Sequence, residues 1–79
     1  MEEFIKKKKV KKLFKILIKL GFQKITSNDL IIFKLSYNEF IILPKDNIGM
    51  HHLKATRHHL YYLGLMDKKK FNKKLKIYE

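Results

Sequence analysis

The chain is predicted to fold as an α+β domain in the order helix, strand, strand, strand, helix, helix, and three observations predict it. Apolar residues recur with helical spacing before Gly21, switch to a period near two across residues 22–43, and regain helical spacing after Gly49. Gly21 and Gly64 stand where the helical patterns stop, and glycine reaches positive φ without strain. Two clusters of turn-forming residues, Ser27-Asn28-Asp29 and Ser36-Tyr37-Asn38, divide the middle segment into three short runs, the last ended by Pro44.

Each element has its own signature. Over residues 2–20, Val10, Leu13, Phe14, Leu17 and Leu20 share one helical face, with Ile16 and Ile18 off that stripe, so the buried face is expected to be broad. Lys8, Lys12, Lys15 and Lys19 step by four, three and four along another face, which makes the helix cationic and amphipathic. Glu2 and Glu3 suit its positive N-terminal end. Residues 22–26, 30–35 and 39–43 are rich in β-branched and aromatic side chains and predict a three-stranded antiparallel meander. The run Phe40-Ile41-Ile42-Leu43 does not alternate, so its strand is expected to be covered on one face and partly protected on the other. After a loop over residues 45–49, a second helix places Met50, Leu53, Thr56 or Arg57, Leu60 and Leu63 inward. Asp67 is a natural N-cap for a last helix, with Phe71, Leu75 and Tyr78 pointing one way and lysines around them.

Seventy-nine residues make one small basic domain, residues 1–79, with a core only just large enough to fold without metals or disulfides. Lys and Arg number 19 against 7 Asp and Glu, a formal net charge of +12. Self-repulsion of that size costs stability, and a polyanionic partner explains it, nucleic acid first. The absence of cysteine removes disulfides, thiolate nucleophiles and cysteine zinc sites, and fits a reducing, cytoplasmic setting. Lysines interrupt the N-terminal apolar stretch and no small-residue cleavage site follows, so neither a secretion signal nor a transmembrane span is expected.

Motifs of enzymatic chemistry are sparse. His51, His52, His58 and His59 repeat at seven residues, about 10 Å along a helix, too far for one metal ion, and the i, i+4 ligand spacing is missing. No metal or other cofactor is therefore expected. His51, Lys54, His58 and Tyr61 do share a helical face, which makes His51 and His58 candidate acid and base groups. The seven carboxylates are dispersed over different elements, and the glycines stand too far apart to make a phosphate-cradling loop.

The order of elements resembles that of the HicA/YcfA-like family of small toxins. The residues that carry the resemblance are Leu17-Ile18-Lys19-Leu20-Gly21-Phe22, Ile41-Ile42-Leu43-Pro44, His52 through Leu60, and Gly64-Leu65-Met66 with Phe71 following. It implies a double-stranded-RNA-binding-domain-like (dsRBD-like) fold, with helices packed on one face of a three-stranded sheet, and a family activity of mRNA cleavage countered by an antitoxin. The family's catalytic histidine sits in a Gly-Ser-His-His segment leading into the second strand. Here the corresponding stretch is Asn28-Asp29-Leu30-Ile31-Ile32-Phe33, and aliphatic side chains transfer no protons.

The leading expectation is a degenerate HicA-like domain that binds nucleic acid, RNA first, by charge and shape without catalysis. Its phosphate contacts are expected from Lys8, Lys12, Lys15, Lys19, Lys54, Arg57, Lys69 and Lys73. With one arginine in the chain, bidentate base reading is scarce. Two alternatives stand beside it. One is an inhibitor or adaptor from a phage or mobile element, bound to a host nuclease, to another acidic protein or to a protein–nucleic acid complex. The other is a toxin-type endoribonuclease that has relocated its catalysis to His51 and His58.

Overall fold

A computed structural model describes residues 4–78 of the chain. Its elements follow the predicted order: α1 (Lys7–Lys19), β1 (Gln23–Thr26), β2 (Leu30–Ser36), β3 (Glu39–Pro44), α2 (Met50–Tyr62) and α3 (Lys68–Leu75). The strands form one antiparallel meander, β1-β2-β3, with Ile25 opposite Ile32 and Ile32 opposite Ile42.

Side chains alternate across the strands, so the register decides what each face carries. Ile31, Phe33, Ile41 and Leu43 are buried on the inner face, while Ile25, Leu30, Phe40 and Ile42 are exposed on the outer one. The helices cover the inner face with Leu13, Ile16 and Leu17 of α1, Leu53, Thr56 and Leu60 of α2, and Phe71 and Leu75 of α3. At the centre the rings of Phe14 and Phe33 stand 5.1 Å apart, within the range of favourable tilted pairs.

The details depart from expectation in four places. First, α1 starts at Lys7 rather than near residue 2, because the preceding chain is held extended: the Ile5 N–H donates to the Ile48 carbonyl at 2.8 Å and Phe4 bridges Gly49. Glu2 and Glu3 lie outside the described residues, and no acidic side chain occupies the first turn. Second, Ile16 is buried while Ile18 is 52% exposed, so α1 turns its face toward Leu13, Ile16 and Leu17. Third, β3 is open on its outer face, where Ile42 is 58% exposed. Fourth, Tyr78 is 90% exposed and Ile77 is buried in its place.

That fourth departure follows from how the helices end. Each closes with the same double hydrogen bond, in which a residue two or three past the helix returns to a carbonyl five residues back. The N–H groups of Phe22, Leu65 and Ile77 donate to the carbonyls of Leu17, Leu60 and Asn72 at 3.0, 2.9 and 2.8 Å. Phe22 and Ile77 are buried and Leu65 packs against the core, so each stop also adds an apolar contact. The residue before each must be left-handed, and Gly21 and Gly64 supply this freely at φ +104 and +73. In α3 the position is Lys76, at φ 54.

A left-handed lysine is strained, by roughly 1–2 kcal/mol relative to an ordinary conformation. Lys76→Gly is therefore expected to stabilise the protein by about 0.5 kcal/mol, after subtraction of glycine's greater freedom in the unfolded chain and one lost cation at a helix C-terminus. A rise in the urea midpoint at unchanged m value is the measurement, and a fall would show that the lysine side chain offsets its own strain.

Candidate nucleic-acid interface

Lysine placement on α1 and α3 follows from which residues the core claims. With Leu13, Ile16 and Leu17 buried, a rotation of 100° per residue sets Lys12, Lys15 and Lys19 on one flank of α1. With Phe71 and Leu75 buried, Lys70 and Lys74 flank the packed face of α3. The two helices pack against each other, and between their flanks runs a groove of about 550 Å³. Its lysines are Lys12, Lys15, Lys19, Lys70 and Lys74, joined by Lys24 of β1, and they interleave with Phe14, Ile16, Ile18, Leu20 and Met66. The Lys24 ammonium stands 5.0 Å from the centroid of the Phe14 ring, a cation–π contact at the edge of the groove.

A second cleft, of about 470 Å³, continues the basic surface past the start of α1. Lys6, Lys8, Lys9, Lys12 and Lys76 line it with Phe4, Ile5, Met50 and Leu75. Lys12 belongs to both, so the cationic track follows α1 from end to end, about 20 Å for its 13 residues. Among the described residues, no carboxylate lines either cleft. Asp67 spends its Oδ1 on the α3 N-cap, accepting from the Lys70 N–H at 2.7 Å, and Glu39 Oε2 stands 3.4 Å from His59 Nε2. Among the described residues, the α1 and α3 lysines of the groove have no carboxylate partner. A row of unneutralised ammonium groups is chemically suited to phosphates, to which each lysine could offer a point-charge contact.

The residues expected from sequence fall into three groups. Lys8, Lys12, Lys15 and Lys19 lie together on the track. Lys69 and Lys73 are exposed on α3 but sit nearly opposite Phe71 and Leu75, pointing away from α1, and the groove takes Lys70 and Lys74 instead. The signal that distinguishes the pairs is proximity to the apolar stripe: lysines that flank a buried face border a neighbouring helix, whereas lysines opposite it face bulk solvent. Lys24, on a strand, carried no helical signal at all. Lys54 and Arg57 belong to α2, away from the groove. Arg57 is half-buried, and its Nη1 donates to Asn72 Oδ1 at 2.9 Å, tying α2 to α3.

The histidines form no convergent site. His52 Nδ1 accepts the Gly49 N–H at 2.9 Å, which satisfies a backbone donor at the start of α2, and the His51 ring stacks on His52 with centroids 3.9 Å apart. His58 is exposed on the same face of α2 as His51, two turns further along. No histidine lines the lysine groove. Among the described residues no cluster of three His, Asp or Glu stands ready to hold a metal ion, and no helix is long and apolar enough to cross a membrane. No family model matches this chain, and neither does any curated protein or solved structure.

Proposed function

We propose that the protein is a non-catalytic nucleic-acid-binding domain, RNA first, that holds phosphates along the α1–α3 lysine track. The observation that carries this reading is the groove itself, six lysines with no carboxylate among the described residues that line it. The helix–strand–strand–strand–helix–helix order, with helices on one sheet face, supports a dsRBD-like arrangement, and with it descent from a HicA-like domain. Leu30, Ile31 and Ile32, in the stretch corresponding to the family's histidine segment, offer nothing to a reacting phosphate. The imidazoles of α2 stand apart from the track, so cleavage is not part of the proposal.

The test is fluorescence anisotropy with a labelled RNA of about 20 nucleotides, titrated across salt concentrations. Five or six phosphate contacts give log affinity against log salt a slope of roughly −3.5 to −5.5, depending on whether the target is single- or double-stranded. Undetectable binding at low salt, or an affinity that ignores salt, overturns the reading.

A further inference from the structure

The two edges of the sheet are built differently. β1 is four residues long and carries Lys24, and shortness and an edge lysine both discourage another strand from pairing. β3 has neither safeguard: it runs six residues with an unbroken apolar stretch at 40–43, no lysine, and proline only at its last position. Outside its ladder to β2, that stretch makes no further backbone–backbone hydrogen bonds among the described residues. Nor does α2 cap it. A notch of about 140 Å³ is lined by all four residues 40–43 on one side and by His52, Ala55, Thr56 and His59 on the other. A notch that meets four consecutive residues of a strand reaches it edge-on, because alternate side chains leave on opposite faces.

Charge selects what fills that edge. None of the 19 Lys and Arg residues lies on β3 or on the α2 face bordering the notch. In a chain of net charge +12, contact between copies through the α1–α3 side sets lysine against lysine, whereas the β3 edge itself carries no cation, its neighbours being Lys34, whose ammonium stands 5.9 Å from the centroid of the Phe40 ring, and Lys45, next after Pro44. An acidic partner is drawn to the lysine track and gains no attraction here. We infer that β3 pairs antiparallel with β3 of a second copy about a twofold axis, forming a continuous six-stranded sheet. For inner faces to stay inner, the pairing sets either Ile41 or Ile42 opposite its own counterpart. Because Lys24 of β1 borders the groove, the two lysine tracks then lie toward the far ends of the dimer.

Sedimentation equilibrium over a range of protein and salt concentrations tests this without reference to nucleic acid. The expected result is a dimer that tightens as salt rises, since salt screens repulsion between two cationic copies. Ile42→Lys places two ammonium groups close together at the paired edge and is expected to weaken the dimer at least tenfold. Ile42 is more than half exposed, so the variant keeps its fold, as its urea midpoint verifies. Ile25→Lys makes the same change on the outer face of β1 and is expected to leave the dimer intact. A monomer at about 1 mM protein in high salt overturns the inference. So does equal dissociation by the two variants, which would indicate stacking of outer sheet faces instead of edge pairing.

Discussion

Phe33→Ala is expected to lose about 3–5 kcal/mol of stability, the range for deleting a buried aromatic ring. Phe33 is 0% exposed at the middle of the central strand, with a neighbour strand on each side and the Phe14 ring at 5.1 Å. Deletion leaves a cavity that strand pairing on both sides keeps from collapsing. At roughly 0.05–0.15 kcal/mol per residue, a chain of this length has only about 4–12 kcal/mol in all, and its charge repulsion draws on the same margin. Urea denaturation followed by circular dichroism should therefore show a variant unfolded, or within about 1 kcal/mol of the midpoint, if the parent stands at the lower end of that range, near about 4 kcal/mol. A loss below about 1 kcal/mol would mean that helices and sheet do not share one core around this ring.

Most of the architecture was legible because local signals and tertiary packing agree. Period two gives way to helical spacing at residues where glycine or proline also ends an element, and Asp67 caps α3 as its side chain predicts. Legibility failed where one side chain's conformation or one helix's rotation decided the outcome. Tyr78 continues the spacing of Phe71 and Leu75, yet Lys76 turns left-handed and delivers Ile77 to the core, and nothing about a lysine announces that turn. Ile16 and Ile18 are alike in composition and differ only in which side of Leu17 faces the sheet. The choice of Lys70 and Lys74 over Lys69 and Lys73 is the same problem at the site. A cationic helix is visible in sequence, but which of its lysines meets another helix is fixed by tertiary packing.

The structure also relates two properties that composition alone runs together. Charge gathers along α1 and the flank of α3, next to β1, while the apolar, charge-poor strand lies at the other edge of the sheet. The proposed phosphate binding on the first surface is expected to weaken as salt rises, and the inferred pairing through the second to strengthen. Opposite salt responses in one small domain allow the two surfaces to be separated by a single variable.

Neutralising the groove should separate local from global charge. Lys12, Lys15, Lys19, Lys70 and Lys74, all changed to Gln, lower the net charge from +12 to +7, that is 12 − 5. With up to five phosphate contacts removed, the salt slope is expected to fall in magnitude by up to about 3.5 for a single strand, and affinity at low salt by a hundredfold or more. A matched variant with Gln at Lys7, Lys34, Lys45, Lys69 and Lys73 has the same net charge and is expected to lose less than tenfold, because distant charges act only through a screened field. Stability should move the other way in the groove variant. Lys15 with Lys19 and Lys70 with Lys74 are like-charge pairs four apart on their helices, each unfavourable by about 0.2–0.5 kcal/mol. Their removal, together with relief of repulsion across the groove, is expected to raise the thermal midpoint by several degrees, at roughly 4–8 °C per kcal/mol for a domain of this size. Binding that falls while stability rises is the signature of side chains retained for a ligand rather than for the fold. Equal loss of affinity in both variants would instead assign binding to net charge alone and remove the groove from the site.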